Sequence, residues 1–302
     1  MATPRKTCLF LGTSDFSLPS LEMLAGGGVC ELLGVVTQSD KPAGRGHRET
    51  APPVARWARE HGLRVWQPET KGALTEIIRE LAPDVVVVVA YGRLIASDAL
   101  DIPPHGYVNL HPSLLPRWRG PSPIVAAIAA GDRETGVTVM RIDAQMDHGP
   151  ILAQEATPLP ADATRSQMEE RLAKQGAKLL LSSLTAYLNG TLTPVPQDDA
   201  RATTCPLLSR EDGHINWSES ATVIERKVRA YEGWPGTWVT EPSDKRLKVL
   251  ATHVATSASP GTLSVICGDG QVLILDRVQP EGKPPMRGDD FLRGRGGAVA
   301  LA

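Results

Sequence analysis

Short apolar runs punctuate the first two thirds of the chain, with helical spacings between them. Residues 6–11 read as a buried strand ending at Gly12, and residues 32–36 as a second. Residues 85–90 are the clearest strand: five valines after Pro83-Asp84, β-branched and without polar alternation. A strand apolar on both faces belongs in a parallel sheet covered by helices. Pro52-Pro53 opens a helical pattern that Gly62 ends, and residues 73–81 carry another. Strand and helix in alternation predict an α/β doubly wound domain.

The pattern continues with a strand at 107–110, a compact apolar helix at 121–130 and strands at 136–142 and 151–156. Thr164-Arg165-Ser166-Gln167 is a capping box, opening a long helix to about Leu188 that Asn189-Gly190 closes. Residues 191–208 then show prolines and threonines with no apolar period, as a linker does. Beyond them, Ala221, Ile224, Val228 and Tyr231 fall at helical spacing. Strands follow at 237–240, 247–252, 262–266 and 272–278, the last two joined by the turn Gly268-Asp269-Gly270. Several short strands with turns predict a small β-barrel. The expected organisation is a first domain over 1–190, a linker over 191–208 and a barrel domain over 209–302.

Composition narrows the class. The chain has 302 residues, 41% hydrophobic and 22% charged, enough to bury a core. Its net charge of −2 disfavours binding nucleic acid through bulk charge. Residues 209–302 hold 12 basic and 12 acidic residues, so neither part is a basic arm. Cys8, Cys30, Cys205 and Cys267 are scattered without a CxxC pair, which predicts free thiols and no zinc ribbon. The apolar stretch 8–11 is too short for a signal segment, and residues 85–90 cannot span a bilayer. A cytoplasmic protein with no membrane association is expected.

Several chemistries lack their motifs. No GxGxxG follows the first strand, and there is no GxxxxGK[ST], HExxH or GxSxG. Residues 107–123 stand out instead, reading Tyr-Val-Asn-Leu-His-Pro-Ser-Leu-Leu-Pro-Arg-Trp-Arg-Gly-Pro-Ser-Pro. Asn109 and His111 are two apart at a strand end, so an amide and an imidazole share a face. Crevices beyond the carboxyl ends of such strands are the usual ligand sites. An amide donor beside an imidazole can stabilise an oxyanion and handle a proton. Taken alone, Asn-x-His more often satisfies its own loop. Asp147 follows another strand, in a turn, where it could hold the imidazole, accept a proton or simply cap local backbone.

The run Asn109-x-His111-x-Ser113-Leu-Leu-Pro116-Arg-x-Arg-Gly120, followed by Asp147-x-Gly149, resembles the signature of the 10-formyltetrahydrofolate-dependent formyltransferases. Further segments carry the likeness across almost the whole chain: 11–21, 38–46, Asp212-Gly-His-Ile-Asn-Trp217, Trp234-Pro-Gly236 and 280–292. The resemblance implies a Rossmann-like catalytic domain followed by an OB-like barrel that binds tRNA. It implies formyl transfer from 10-formyltetrahydrofolate to the α-amino group of methionine on initiator tRNA, by direct amine attack, without a metal or covalent intermediate. Asn109, His111 and Asp147 would form the catalytic set. Folate would lie along Ser113, Leu114, Leu115 and Pro116 and against Val88, Ala90, Tyr91, Gly92 and Leu94. Lys41, Arg45, His47 and Arg48 would contact tRNA phosphates, and the chain would act as a monomer. Four alternatives stay open, the most distant a general hydrolase, which would lack an activated nucleophile and the elbow pattern. One is a formyltransferase acting on a nucleotide-linked amino sugar, against which residues 38–49 and the second domain argue. Glycinamide ribonucleotide formylation would leave the second domain unexplained. The third is a catalytically dead RNA- or folate-binding relative.

Overall fold

The computed structural model describes residues 5–43, 48–242, 244–296 and 301. In chain order the first elements are β1 (Thr7–Gly12), α1 (Leu18–Gly27), β2 (Glu31–Val36), β3 (Lys41–Ala43), β4 (Arg48–Thr50), α2 (Pro53–Glu60) and β5 (Val65–Trp66). They continue as α3 (Lys71–Leu81), β6 (Val85–Val89), β7 (Tyr107–His111), α4 (Pro123–Ala130), β8 (Glu134–Arg141), β9 (Ile151–Pro158) and α5 (Arg165–Leu188). The rest comprises α6 (Ala221–Ala230), β10 (Thr237–Thr240), β11 (Arg246–Ala255), β12 (Ser264–Ile266), β13 (Val272–Pro280), β14 (Met286–Arg287) and α7 (Gly288–Arg293).

One sheet has the order β5-β2-β1-β6-β7-β8-β9. Its first five strands are parallel; at one side β8 pairs antiparallel with β7, and β9 antiparallel with β8. Every valine of β6 is buried, because strands flank it and side chains cover both faces. The chain leaves β1 in one direction and β6 in the other, so the strand order reverses between them. That reversal opens a crevice at the carboxyl ends Gly12 and Val89, which pair side by side. The second sheet is antiparallel, in the order β10-β11-β13-β12, with β14 on β13, and curls as a half-barrel. Ile224 and Val228 of α6 and Phe291 of α7 join its core. The capping box is half realised: the Thr164 N–H donates to Gln167 Oε1 at 3.0 Å.

The chain divides into two compact units. One takes Met1–Pro121, Glu134–Pro158 and Glu169–Cys205; the other takes Ser122–Arg133, Leu159–Met168 and Pro206–Ala302. This partition differs from division at 190 and 208. Residues 191–205, expected as a linker, are fastened within the first unit. Val195 and Ile151 exchange backbone bonds at 2.7 and 2.8 Å, while Thr203 and Cys205 bond Pro116 and Arg119 at 2.8–3.1 Å. A segment with no apolar period here runs irregularly, with a 3-10 turn at Asp199–Arg201, and its backbone groups find partners along that path. The expectation of four free thiols also needs correction. Cys8 and Cys30 are paired as a disulfide, since adjacent parallel strands bring their Cα atoms to 5.9 Å. Cys205 and Cys267 are buried and take no part in a disulfide.

Candidate active site

β7 sits between parallel β6 and antiparallel β8, with Asn109 opposite Val88 and His111 opposite Thr138. Asn109 is half-buried, and its side-chain amide has no hydrogen-bond partner among the described residues. His111 is 4% exposed. Its Nε2 lies 3.0 Å from the Trp118 carbonyl oxygen. A carbonyl only accepts, so Nε2 carries the hydrogen and donates it. Nδ1 faces Asp147 Oδ2 at 3.7 Å, a distance for charge pairing rather than a hydrogen bond. A proton gained at Nδ1 would therefore point at a carboxylate. The structure thus brings His111 and Asp147 together beyond the end of β7.

Asp147 is held in an uncommon backbone conformation, φ 50°, which Asp tolerates better than most residues. Its Oδ2 accepts the Gly120 N–H at 2.8 Å. Gly120 has φ 121°, and a Cβ there would run into the Cys205 carbonyl oxygen. Gly149 is similarly required, because a Cβ would strike the Arg141 carbonyl. These contacts explain the glycines of the Arg-Gly and Asp-x-Gly portions of the motif.

The loop after His111 is pinned from β8 and β9. Thr138 Oγ1 donates to the Ser113 carbonyl at 2.6 Å and accepts the Leu115 N–H at 3.1 Å. Gln154 Nε2 donates to the Leu115 carbonyl at 2.7 Å and to Thr138 Oγ1 at 2.9 Å. Ser113 is buried, and its hydroxyl donates to the Arg117 carbonyl at 2.6 Å. Ser113 and Leu115 thus hold the loop's shape, while Leu114 and Pro116 stay half-buried. Arg117 stacks on the Trp118 ring, its Cζ 4.4 Å from the centroid. Arg119 turns to Gln197 Oε1 at 3.0 Å and Asp199 Oδ1 at 2.7 Å.

His148, beside Asp147, donates through Nδ1 to Asp143 Oδ2 at 2.6 Å. Its pKa is raised, first by that hydrogen bond and further by the charges of Asp143 and Asp199. The Arg119 hydrogen bond holds the Asp199 carboxyl below its ordinary value. Sequence reasoning missed Thr138, Gln154, Gln197 and Thr203. A threonine inside a strand reads as an ordinary strand former, and a lone glutamine after proline carries no pattern.

Residues named for the folate wall continue from β6. Val88 is buried; Ala90 and Gly92 turn the chain at φ 45° and 74°, both exposed. The Tyr91 side chain is buried, and its carbonyl accepts Thr13 Oγ1 at 2.8 Å and Gln38 Nε2 at 2.9 Å. Burial pushes the Tyr91 hydroxyl pKa up. Leu94 is exposed. A cavity of about 300 Å³ borders Tyr91, Leu94, Leu74, Lys71 and Arg93. Among the residues named for tRNA, Lys41 is exposed and donates to Gln38 Oε1 at 2.8 Å. Arg45, His47 and the Arg48 side chain lie outside the described residues. Among the described residues no group of three His, Cys, Asp or Glu could hold a metal, and no helix is long and apolar enough to cross a membrane.

Residues 6–184 match the family described as formyl transferase, and residues 207–296 match formyl transferase, C-terminal domain. A protein of Roseiflexus castenholzii named methionyl-tRNA formyltransferase is 49% identical over 95% of each chain. Proteins of the same name from Chloroflexus aurantiacus and Myxococcus xanthus are 44% and 41% identical, over 95% and 97% of this chain and 96% of each relative. Among solved structures, HypX from Aquifex aeolicus in complex with tetrahydrofolic acid matches with TM-score 0.66 at 15% identity. That match covers 96% of this chain and 47% of HypX. An N-formyltransferase from Helicobacter canadensis, in complex with folinic acid and dTDP-3-aminofucose, matches at 0.67 and 18% identity, over 92% and 100% of the two chains. These likenesses show the same fold, and the chain belongs to the formyl transferase family.

Proposed function

We propose that the chain transfers a formyl group from 10-formyltetrahydrofolate to the α-amino group of methionine on initiator tRNA. One observation carries the reading. The chain matches proteins named methionyl-tRNA formyltransferase along nearly their full length; the approach of His111 to Asp147, with Asn109 two residues earlier on β7, supports the reading. The residues suit the formyl donor. The Asn109 amide has no partner among the described residues, and a cavity borders Tyr91 and Leu94. Folate lies against Val88, Ala90, Tyr91, Gly92 and Leu94, beside the loop 113–116.

The donor supplies an acyl carbon already activated for attack by an amine. The α-amino nitrogen forms a bond to that carbon, and the bond from the carbon to the folate N10 breaks. The amine loses one proton and N10 gains one, so atoms and charge balance. Asn109 donates to the formyl oxygen as negative charge develops there. His111, charged through Nδ1, adds positive potential while its Nε2–H stays on the Trp118 carbonyl. Asp147 balances that charge and accepts the amine's proton. An α-amino group titrates near ~8, so little activation is required. Lys41, Arg45, His47 and Arg48 contact tRNA phosphates, and the second unit holds the tRNA body.

The test offers the protein 10-formyltetrahydrofolate together with methionyl initiator tRNA or a dTDP-linked amino sugar. Formylmethionyl-tRNA is expected, with no sugar product. Formylation of the sugar alone would overturn the assignment.

A further inference from the structure

We infer that Gln197, on the segment 191–205, is a positioning residue for formyl transfer: it fixes Asp147 against His111 from the far side of the loop. This rests on the reading of Asp147 as catalytic. The Gln197 amide is committed at both ends. Nε2 donates to the Asp147 carbonyl at 2.9 Å and to the Gly149 carbonyl at 2.8 Å. Oε1 accepts Arg119 Nε at 3.0 Å. Only one orientation of the amide serves two carbonyls and one guanidinium, so its assignment is unambiguous.

These bonds close a circuit around Asp147. Gln197 holds the Asp147 main chain directly. Through Arg119 it also holds the residue next to Gly120, whose N–H binds the Asp147 carboxylate at 2.8 Å. Arg119 is braced independently by Asp199 at 2.7 Å, and the Arg119 N–H donates to the Thr203 carbonyl at 2.8 Å. Asp147 sits at φ 50°, a conformation that persists only where surroundings over-determine it. Gln197 supplies two of those determinants. It bonds main-chain carbonyls and a guanidinium, with none of its bonds to Asn109 or His111, so its effect on the reaction passes through Asp147.

The variants are Gln197→Met, which keeps length and neutrality, and Gln197→Glu, which keeps the acceptor for Arg119 but sets oxygen against two carbonyls. Each is made in the wild-type chain and beside Asp147→Asn. A displacement of about 1 Å can cost roughly 100-fold in rate. Single-turnover formylation by both Gln197 variants is expected to fall about 30- to 100-fold, with formyl-donor Kd and tRNA KM changed less than about threefold. Beside Asp147→Asn the same replacements should cost less than about threefold, since residues acting as a unit are not additive. Equal losses in both backgrounds, or a loss confined to tRNA KM, would overturn the inference. Should either variant melt early, the comparison is made with the other. Full activity of Asp147→Asn alone would refute the reading of Asp147, and this inference with it. Loss in Asp147→Asn with full activity in both Gln197 variants would refute the inference alone.

Discussion

Replacing Thr138 by valine removes one hydroxyl and almost no volume. Thr138 is fully buried, and that hydroxyl serves three partners around the 113–116 loop. In Thr138→Val the Leu115 N–H and the Ser113 carbonyl lose their partners inside the protein. Each unsatisfied buried group costs about 1–3 kcal/mol, so the loop loses roughly 2–6 kcal/mol of local stability. Gln154 keeps its bond to the Leu115 carbonyl and limits the loss to those two groups. Thr138→Ser keeps the hydroxyl and gives up a methyl, at about 1 kcal/mol. The two variants should therefore differ by about 1–5 kcal/mol, the methyl loss opposing the hydrogen-bond loss. Hydrogen exchange of a peptide covering 111–117 reads this directly, since local opening sets amide protection. The valine variant should exchange at least about fivefold faster than the serine variant, and bind the formyl donor more weakly. Exchange in Thr138→Ser as fast as in Thr138→Val would refute the reasoning.

Gly120→Ala places a Cβ against the Cys205 carbonyl at φ 121°, so both the Asp147 anchor and the 203–205 ladder must shift. A melting temperature lower by several degrees, and at least a tenfold loss of turnover, are expected; a wild-type melt and rate would contradict this. His148 has a raised pKa, so its pairing with Asp143 is fully present below the ordinary imidazole value and lost as pH rises through the folded-state value. An NMR titration should show the His148 midpoint falling in Asp143→Asn, and an unmoved midpoint would exclude that hydrogen bond as the cause. Alanine at Arg45 and Arg48 should raise tRNA KM and flatten its salt dependence with formyl-donor Kd unchanged; an unchanged salt slope would count against phosphate contact.

The sequence carried the sheet because its strands are buried by composition. The valines of β6 and the short runs of β1, β2 and β7 have no amphipathic alternative, and the structure places each within a residue or two of its expected span. The two-residue strands β5 and β14 lack such a signal. They exist because β2 and β13 leave pairing edges for them. Asn109 and His111 were legible as a pair because strand periodicity forces them to one face. For Asp147, holding the His111 imidazole was one option among several, because its approach depends on a loop conformation set by Gly120, Arg119 and Gln197. The segment 191–205 shows why composition misleads there. Prolines and polar residues mark it as a linker, yet its backbone forms a ladder on the 116–119 loop, and only its carbonyls and amides reveal that. Cys30 immediately precedes β2, whose pairing with β1 brings it beside Cys8, an adjacency the spacing of 22 residues does not encode.

The central claim is that formyl transfer depends on Asn109 and His111 rather than on binding alone. Single-turnover formylation of methionyl initiator tRNA, with Asn109→Ala and His111→Ala beside wild type and formyl-donor Kd measured for each, tests it most directly. Loss of an oxyanion donor costs about 100- to 1,000-fold, so both variants should lose at least that much rate and still bind the donor. Either variant turning over at the wild-type rate would contradict the account.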